Sequence, residues 1–187
     1  MCDTPEQSQS ERLLIEALQR GELDAFDALF SRYRARILAY LTNMLRDRGL
    51  AEDITQDCFV ALVRRVDRIK PERGVGPWLF RVARNRAIDV MRKRGREVLD
   101  ADKALWRADS MRLDEGSPAD ALVLDEEARQ VRAGLAKVPA KYREVLVLHY
   151  FGDLKFSEVA RVLHRPLGTV LWQARRALKE LSKHVET

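Results

Sequence analysis

Two cysteines, Cys2 and Cys58, are all that 187 residues hold. A disulfide framework and a cysteine-built metal box are thereby excluded, and Cys58 reads as a small buried residue rather than a redox sensor. The three histidines are scattered without ligand spacing, and no cofactor is expected. No phosphate loop, nucleophile elbow or HExxH run occurs. No apolar run approaches the length of a membrane span. The opening residues, MCDTPEQSQSER, are polar and lack the apolar core of a signal peptide, so the chain is expected to stay in the cytoplasm. Strand signals are nearly absent, which leaves an all-α chain.

Charge is what the sequence has in quantity. Charged residues make up 34% and the net charge is +5, with a pI near 9.4. A basic balance suits a polyanionic partner, although solubility alone would also account for it. The sign alternates along the chain. Residues 81–96 hold seven bases and one acid, residues 97–127 ten acids and three bases, and residues 155–183 seven bases and two acids. This pattern suggests two basic helical modules joined by an acidic, flexible linker, and the 46% hydrophobic content is enough to give each a core.

In the second module, SEVARVLHRPLGTVLWQARRALKEL (157–181) reads as two short helices and a tight turn. Ser157 is the expected N-cap of the first. Val159, Ala160, Val162 and Leu163 form its inner face, with small Ala160 where the helices cross. His164 takes the turn position, in a left-handed conformation open to histidine at modest cost. Pro166 interrupts the chain and starts the second helix. Val170, Ala174, Ala177, Leu178 and Leu181 form one apolar stripe, and Thr169, Trp172, Gln173, Arg176 and Lys179 the opposite face. This is the pattern of a helix-turn-helix whose second helix enters the DNA major groove. An ordinary helical hairpin with a basic outer face would look similar. Earlier helices of this module are expected at about 120–137 and 139–151.

The first module offers two surfaces. Helical spacing runs from Leu23 through Phe26, Leu29, Phe30, Tyr33, Ile37 and Leu41 to Met44, after a first helix over 9–20 that ends at Gly21. Another helix spans about 51–69, with Ile54, Cys58, Ala61, Leu62 and Val66 inward and Asp53, Gln56, Asp57 and Val60 on one outward face. An acidic patch on a basic protein suits a protein partner, although acids at a helix N-terminus also suit the dipole. After the PERGVGP loop, a helix from Trp78 turns Arg81, Arg84, Asn85, Ile88 and Arg92 outward. Cations that neutralise phosphates, beside aromatics and an amide that suit unstacked bases, fit a strand-melting surface. Trp78 could instead plug the core.

Taken together, AFDALFSRYRARILAYL, AEDITQDCFVAL and PWLFRVARNRAIDVMRKR resemble region two of the extracytoplasmic-function (group 4) sigma factors of the sigma-70 family. LAKVPAKYREVLVLHYFGDLKFSEVARVLHRPLGTV resembles their region four. The resemblance implies an N-terminal extension (1–21), region two (22–96), a linker (97–118) and region four (119–187). It implies a factor, not an enzyme, that binds core RNA polymerase, recognises two promoter elements and helps to melt the duplex. Core docking falls on Asp53, Gln56 and Asp57, with Phe59 packed behind. Recognition of the minus-ten element falls on Trp78, Arg81, Arg84, Asn85 and Arg92, and of the minus-thirty-five element on Arg165, Thr169, Trp172, Gln173 and Arg176. An anti-sigma partner is common in the family and would hide both DNA surfaces.

Three departures stand out. Trp172 and Gln173 occupy places where the family usually has a small polar residue and Arg. Glutamine pairs with adenine where arginine prefers guanine, so an altered upstream element is expected. The PERGVGPW loop is about one residue short and lacks an aromatic between Gly and Trp, and His164 holds the turn position usually given to glycine. Three rival readings remain: a stand-alone helix-turn-helix regulator, a hydrolase using Asp53 and Asp57, and a protein-only adaptor. The first would bind palindromic DNA without polymerase, the second lacks metal partners and a nucleophile, and the third would bind polymerase or sigma without DNA.

Overall fold

Eight helices make up the described part of the chain in the computed structural model, which describes residues 5–45, 47–94 and 126–185. In the first module these are α1 (Pro5–Gln19), α2 (Leu23–Leu45), α3 (Arg48–Arg65) and α4 (Gly76–Arg94). The second module holds α5 (Glu126–Lys137), α6 (Ala140–Tyr150), α7 (Phe156–Leu163) and α8 (Leu167–Val185). Among the described residues there is no strand, as the periodicity predicted. The linker expected at 97–118 lies outside the described residues.

The helices start and stop for local reasons. Asp47 caps α3, its Oδ1 accepting the Leu50 N–H at 3.0 Å. Gly21, left-handed at φ +86°, ends α1, and the Gly21 and Glu22 amides close onto the Leu18 and Ala17 carbonyls. Two short 3-10 turns, Val66–Arg68 and Pro71–Arg73, carry the chain from α3 to α4.

In the first module α2 is central and packs against α1, α3 and α4. It buries Leu29, Tyr33, Ile37, Tyr40 and Leu41, whereas Leu23, predicted for the same stripe, is exposed at the helix start. Opposite it lie Ile54, Cys58 and Leu62 of α3 and Leu79, Ala83 and Ala87 of α4. Phe26, Phe30 and Phe59 form an aromatic knot, with Phe30 and Phe59 4.7 Å apart.

Helix α1 is built into this core. Ile15 and Leu18 are buried, and the Gln19 amide donates to the Val66 and Ile69 carbonyls at 2.9 and 3.0 Å. Glu11 is only 5% exposed. It accepts hydrogen bonds from the Tyr33 hydroxyl and, at 2.7 Å, from the Val75 N–H, with Arg32 3.7 Å away. A carboxylate on α1 therefore holds the loop that leads into α4. Gly74 in that loop has φ +69°, and a Cβ there would come within 3.1 Å of Glu11, so both conformation and space call for glycine.

In the second module α8 packs on α5, α6 and α7. Val170 is fully buried as the plug of the helix-turn-helix, and Ala160 lies at the crossing. His164 adopts the left-handed conformation (φ 53°, ψ 43°) and ends α7. Two local expectations are corrected. Lys155, not Ser157, holds the cap position of α7, because Glu158 reaches back to accept the Lys155 N–H at 2.9 Å. Leu178, predicted for the buried stripe of α8, is 44% exposed, since the stripe narrows after Ala177.

Replacing Glu11 with Ala would leave the Tyr33 hydroxyl and the Val75 amide without their acceptor. We expect a loss of about 2–6 kcal/mol, from two buried groups at roughly 1–3 kcal/mol each, read from urea unfolding; an unchanged midpoint would contradict the role given to this carboxylate.

Candidate nucleic-acid interface

The face predicted for a protein partner is open. Asp53, Gln56, Asp57 and Val60 of α3 are all exposed, and Phe59 is buried behind them. Val63, 53% exposed, extends the face and went unread in the sequence. The spacing 53, 56, 60 and 63 is the helical signal that would have found it. The face thus joins acids to two bare valines. Asp57 also meets Arg86 of α4 at 3.7 Å, so it links the acidic face to the basic helix.

On α4 the basic surface divides. Arg81, Asn85 and Arg92 are exposed and share one side, and Trp78 is half-buried against the core beneath them. Arg84 and Ile88, predicted to face outward, are instead 8% and 4% exposed. For Arg84 the reason lies in the other module. Its Nε donates to Glu144 Oε1 of α6 at 2.9 Å, and the Tyr40 hydroxyl donates to the same oxygen at 3.1 Å. Burial, reinforced by the Glu144 carboxylate, holds the Tyr40 phenol protonated well above its ordinary range.

The helix-turn-helix divides in the same way. Thr169, Trp172 and Arg176 stand on the open side of α8, with Arg176 3.6 Å from Glu180 one turn on. Gln173, predicted to face outward with them, is 8% exposed. The half-buried Arg165 of the turn folds over it and donates from Nη1 to its Oε1 at 3.1 Å. Trp172 is 57% exposed and stands edge-on to Tyr142 of α6, with ring centroids 5.8 Å apart. The Lys141 ammonium sits 4.7 Å over the Tyr142 ring. Tyr142 and Glu144 escaped the sequence reading because each acts across a distance in the chain that no helical period encodes.

Among the described residues no group of three or more His, Cys, Asp or Glu side chains could hold a metal ion. No described helix is long and apolar enough to cross a membrane.

Comparison with known proteins places both modules. Residues 29–97 match the family model described as Sigma-70 region 2, and residues 128–181 the one described as Sigma-70, region 4. The RNA polymerase sigma-H factor of Pseudomonas aeruginosa is 30% identical, over 98% of this chain and 96% of its own. The ECF RNA polymerase sigma factor SigW of Bacillus subtilis is 32% identical, over 91% of this chain and 94% of its own. Among solved structures, CnrH in complex with the cytosolic domain of CnrY shares the fold with a TM-score of 0.69 at 24% identity, covering 94% and 97% of the two chains.

Cys58 lies just inside the acidic face. Burial first, then the charge of Asp57, pushes its thiol up to about 12. At pH 8 the folded chain should therefore alkylate at Cys58 roughly a thousandfold more slowly than the urea-unfolded chain, since only the thiolate reacts. Mass analysis of the Cys58 peptide after timed iodoacetamide treatment checks this, and rapid labelling of folded protein would show that α3 is not seated as described.

Proposed function

This chain belongs to the extracytoplasmic-function RNA polymerase sigma factors of the sigma-70 family, and we propose how its own residues carry out the promoter-directed initiation that defines them. It is a transcription initiation factor that makes and breaks no bond itself and works in the cytoplasm. The exposed α3 face, Asp53, Gln56 and Asp57 with Val60 and Val63, docks on core polymerase. Carboxylates at its rim steer the encounter and the valines lose water on contact. Region two, on α4, captures the minus-ten element. Arg81 and Arg92 neutralise phosphates, the half-buried Trp78 offers its uncovered ring surface for stacking, and Asn85 offers donor and acceptor to a flipped base. Such contacts exist only when the strands have parted, so their energy shifts the closed-to-open equilibrium.

Region four anchors upstream by laying the first turns of α8 in the major groove. Arg176 and Thr169 meet the backbone. Trp172, propped by Tyr142, presents an apolar edge suited to a thymine methyl. Gln173 works differently from what its sequence position suggests: it orients the Arg165 guanidinium toward DNA through the 3.1 Å hydrogen bond. Anti-sigma proteins are fitting partners for the same surfaces.

The observation that supports this reading most is the presence of both modules in order on one chain, with an open acidic α3 face and an open Asn85. Run-off transcription with purified core polymerase over a promoter library tests it, and failure to initiate at any site would overturn it. The double variant Asp53→Ala, Asp57→Ala should bind core at least about tenfold more weakly, which is 1.4 kcal/mol. Asn85→Ala should leave core affinity intact but slow opening, read by permanganate reactivity of unpaired thymines. Arg176→Ala should weaken upstream duplex binding and flatten the slope of log affinity against log salt by about one; an unchanged slope would remove that phosphate contact.

A further inference from the structure

The outward side of α8 is short of a hydrogen-bonding reader where the sequence placed one. Gln173 is buried and its Oε1 is taken by Arg165 at 3.1 Å, so the amide that could pair with adenine is withdrawn from the surface. Much of what stands in the open around it is apolar: Leu167, Leu171 and Trp172 are all exposed. Trp172 is held from the side. Its ring meets Tyr142 of α6 edge-on, with centroids 5.8 Å apart, and Tyr142 packs half-buried against the core. The start of α6 is fixed in turn. The Tyr142 and Arg143 amides donate to the Pro139 carbonyl at 2.9 and 3.0 Å, and Arg143 Nη1 donates to the Ala136 carbonyl at 2.9 Å. One turn before Trp172, on the same side of α8, Gly168 is exposed, and a Cβ there would meet nothing within 4 Å. Trp172 therefore projects beside a bare notch, where a base edge can come close to the helix.

We infer that region four reads the upstream element through the C5 methyl group of a pyrimidine, with Trp172 as the reader and Tyr142 as the residue that positions it. The inference rests on the proposed placing of α8 in the major groove and deepens it by naming the chemical group that Trp172 recognises. In that groove the base pairs offer hydrogen-bonding atoms and one apolar group, the methyl at C5 of thymine. An indole carries one donor and no acceptor, and the rest of its surface is hydrocarbon. Covering the methyl with that ring takes apolar surface of both partners out of water. A free indole would lose rotamer freedom on contact, whereas a ring already held by Tyr142 loses less. The same methyl occurs on 5-methylcytosine, with different hydrogen-bonding atoms around it. A reader of hydrocarbon accepts either source, so the factor responds to cytosine methylation at the position that Trp172 covers.

Holoenzyme assembled from purified core polymerase and the full-length chain provides the test, on the promoter that run-off transcription selects. Each thymine of the upstream element, on either strand, is replaced in turn by deoxyuridine, which lacks only the methyl. Affinity is read by competition against the unmodified duplex. At one position the change should weaken binding about fourfold, the worth of one buried methyl. At that position 5-methylcytosine should bind about fourfold better than cytosine. Trp172→Ala should make thymine and deoxyuridine equivalent. Tyr142→Ala should bring their ratio toward one, and Tyr142→Phe, which keeps the ring, should restore it. A purely structural role for Tyr142 would weaken both duplexes alike and leave the ratio, which would remove it as the positioning residue. Indifference of the wild type to the methyl at every upstream position, an element without thymine, or a ratio that survives Trp172→Ala would overturn the inference and leave promoter-directed initiation intact. Dependence on thymine without dependence on 5-methylcytosine would overturn recognition of the methyl itself. Failure to initiate at any site would instead overturn the reading on which the inference rests.

Discussion

A guanidinium and a carboxylate from opposite halves of the chain meet where water is excluded, and the arrangement of the whole molecule follows from satisfying them. Arg84 and Glu144 are 8% and 6% exposed. Neither could be buried alone, since an unpaired charge in such surroundings costs several kcal/mol. Burying both requires α4 and α6 to face each other, which brings Phe80 against Gly152 and α2 against α6. The apolar contacts supply attraction without direction, and the ion pair with its tyrosine supplies the register. Two modules that could each form a small core thus share one.

A second carboxylate does comparable work inside region two. Glu11 ties α1, α2 and the loop before α4 through Tyr33, Arg32 and Val75. The loop is rich in glycine and proline and has little apolar surface of its own, so a hydrogen-bonded anchor decides where it lies. Through it the start of α4, and with it Trp78 and Asn85, is set relative to the acidic face of α3. The surfaces proposed for polymerase docking and base capture therefore sit on one helical bundle, with Asp57 and Arg86 bridging the two helices at 3.7 Å.

Local features of the chain were readable wherever a short-range rule governs them. The buried sides of α3 and α4, the left-handed His164 and the Val170 plug depend on neighbours within one or two turns. The acidic face of α3 was equally plain, because no other part of the described chain covers it. Errors arose where a long side chain had a choice of partner. Arg84 and Gln173 share helical faces with exposed residues, and spacing alone assigned them to solvent. Arg84 turned to a carboxylate on another module, and Gln173 to an arginine on the adjoining turn. Ser157 lost the cap of α7 for a different reason, because the helix begins at Phe156 with Lys155 before it, whose N–H Glu158 accepts.

By itself, then, the order of residues determined that the chain would be helical, that it would carry two basic modules, and which faces would be apolar. These follow from periodicity and composition, which act over a few residues and survive any rearrangement of the modules. Only the tertiary structure decided which cations stay available to a nucleic acid and which are already spent on the protein. Arg84 and Glu144 stand 60 positions apart, and a contact of that span arises from how preformed helices dock, not from any pattern along either one.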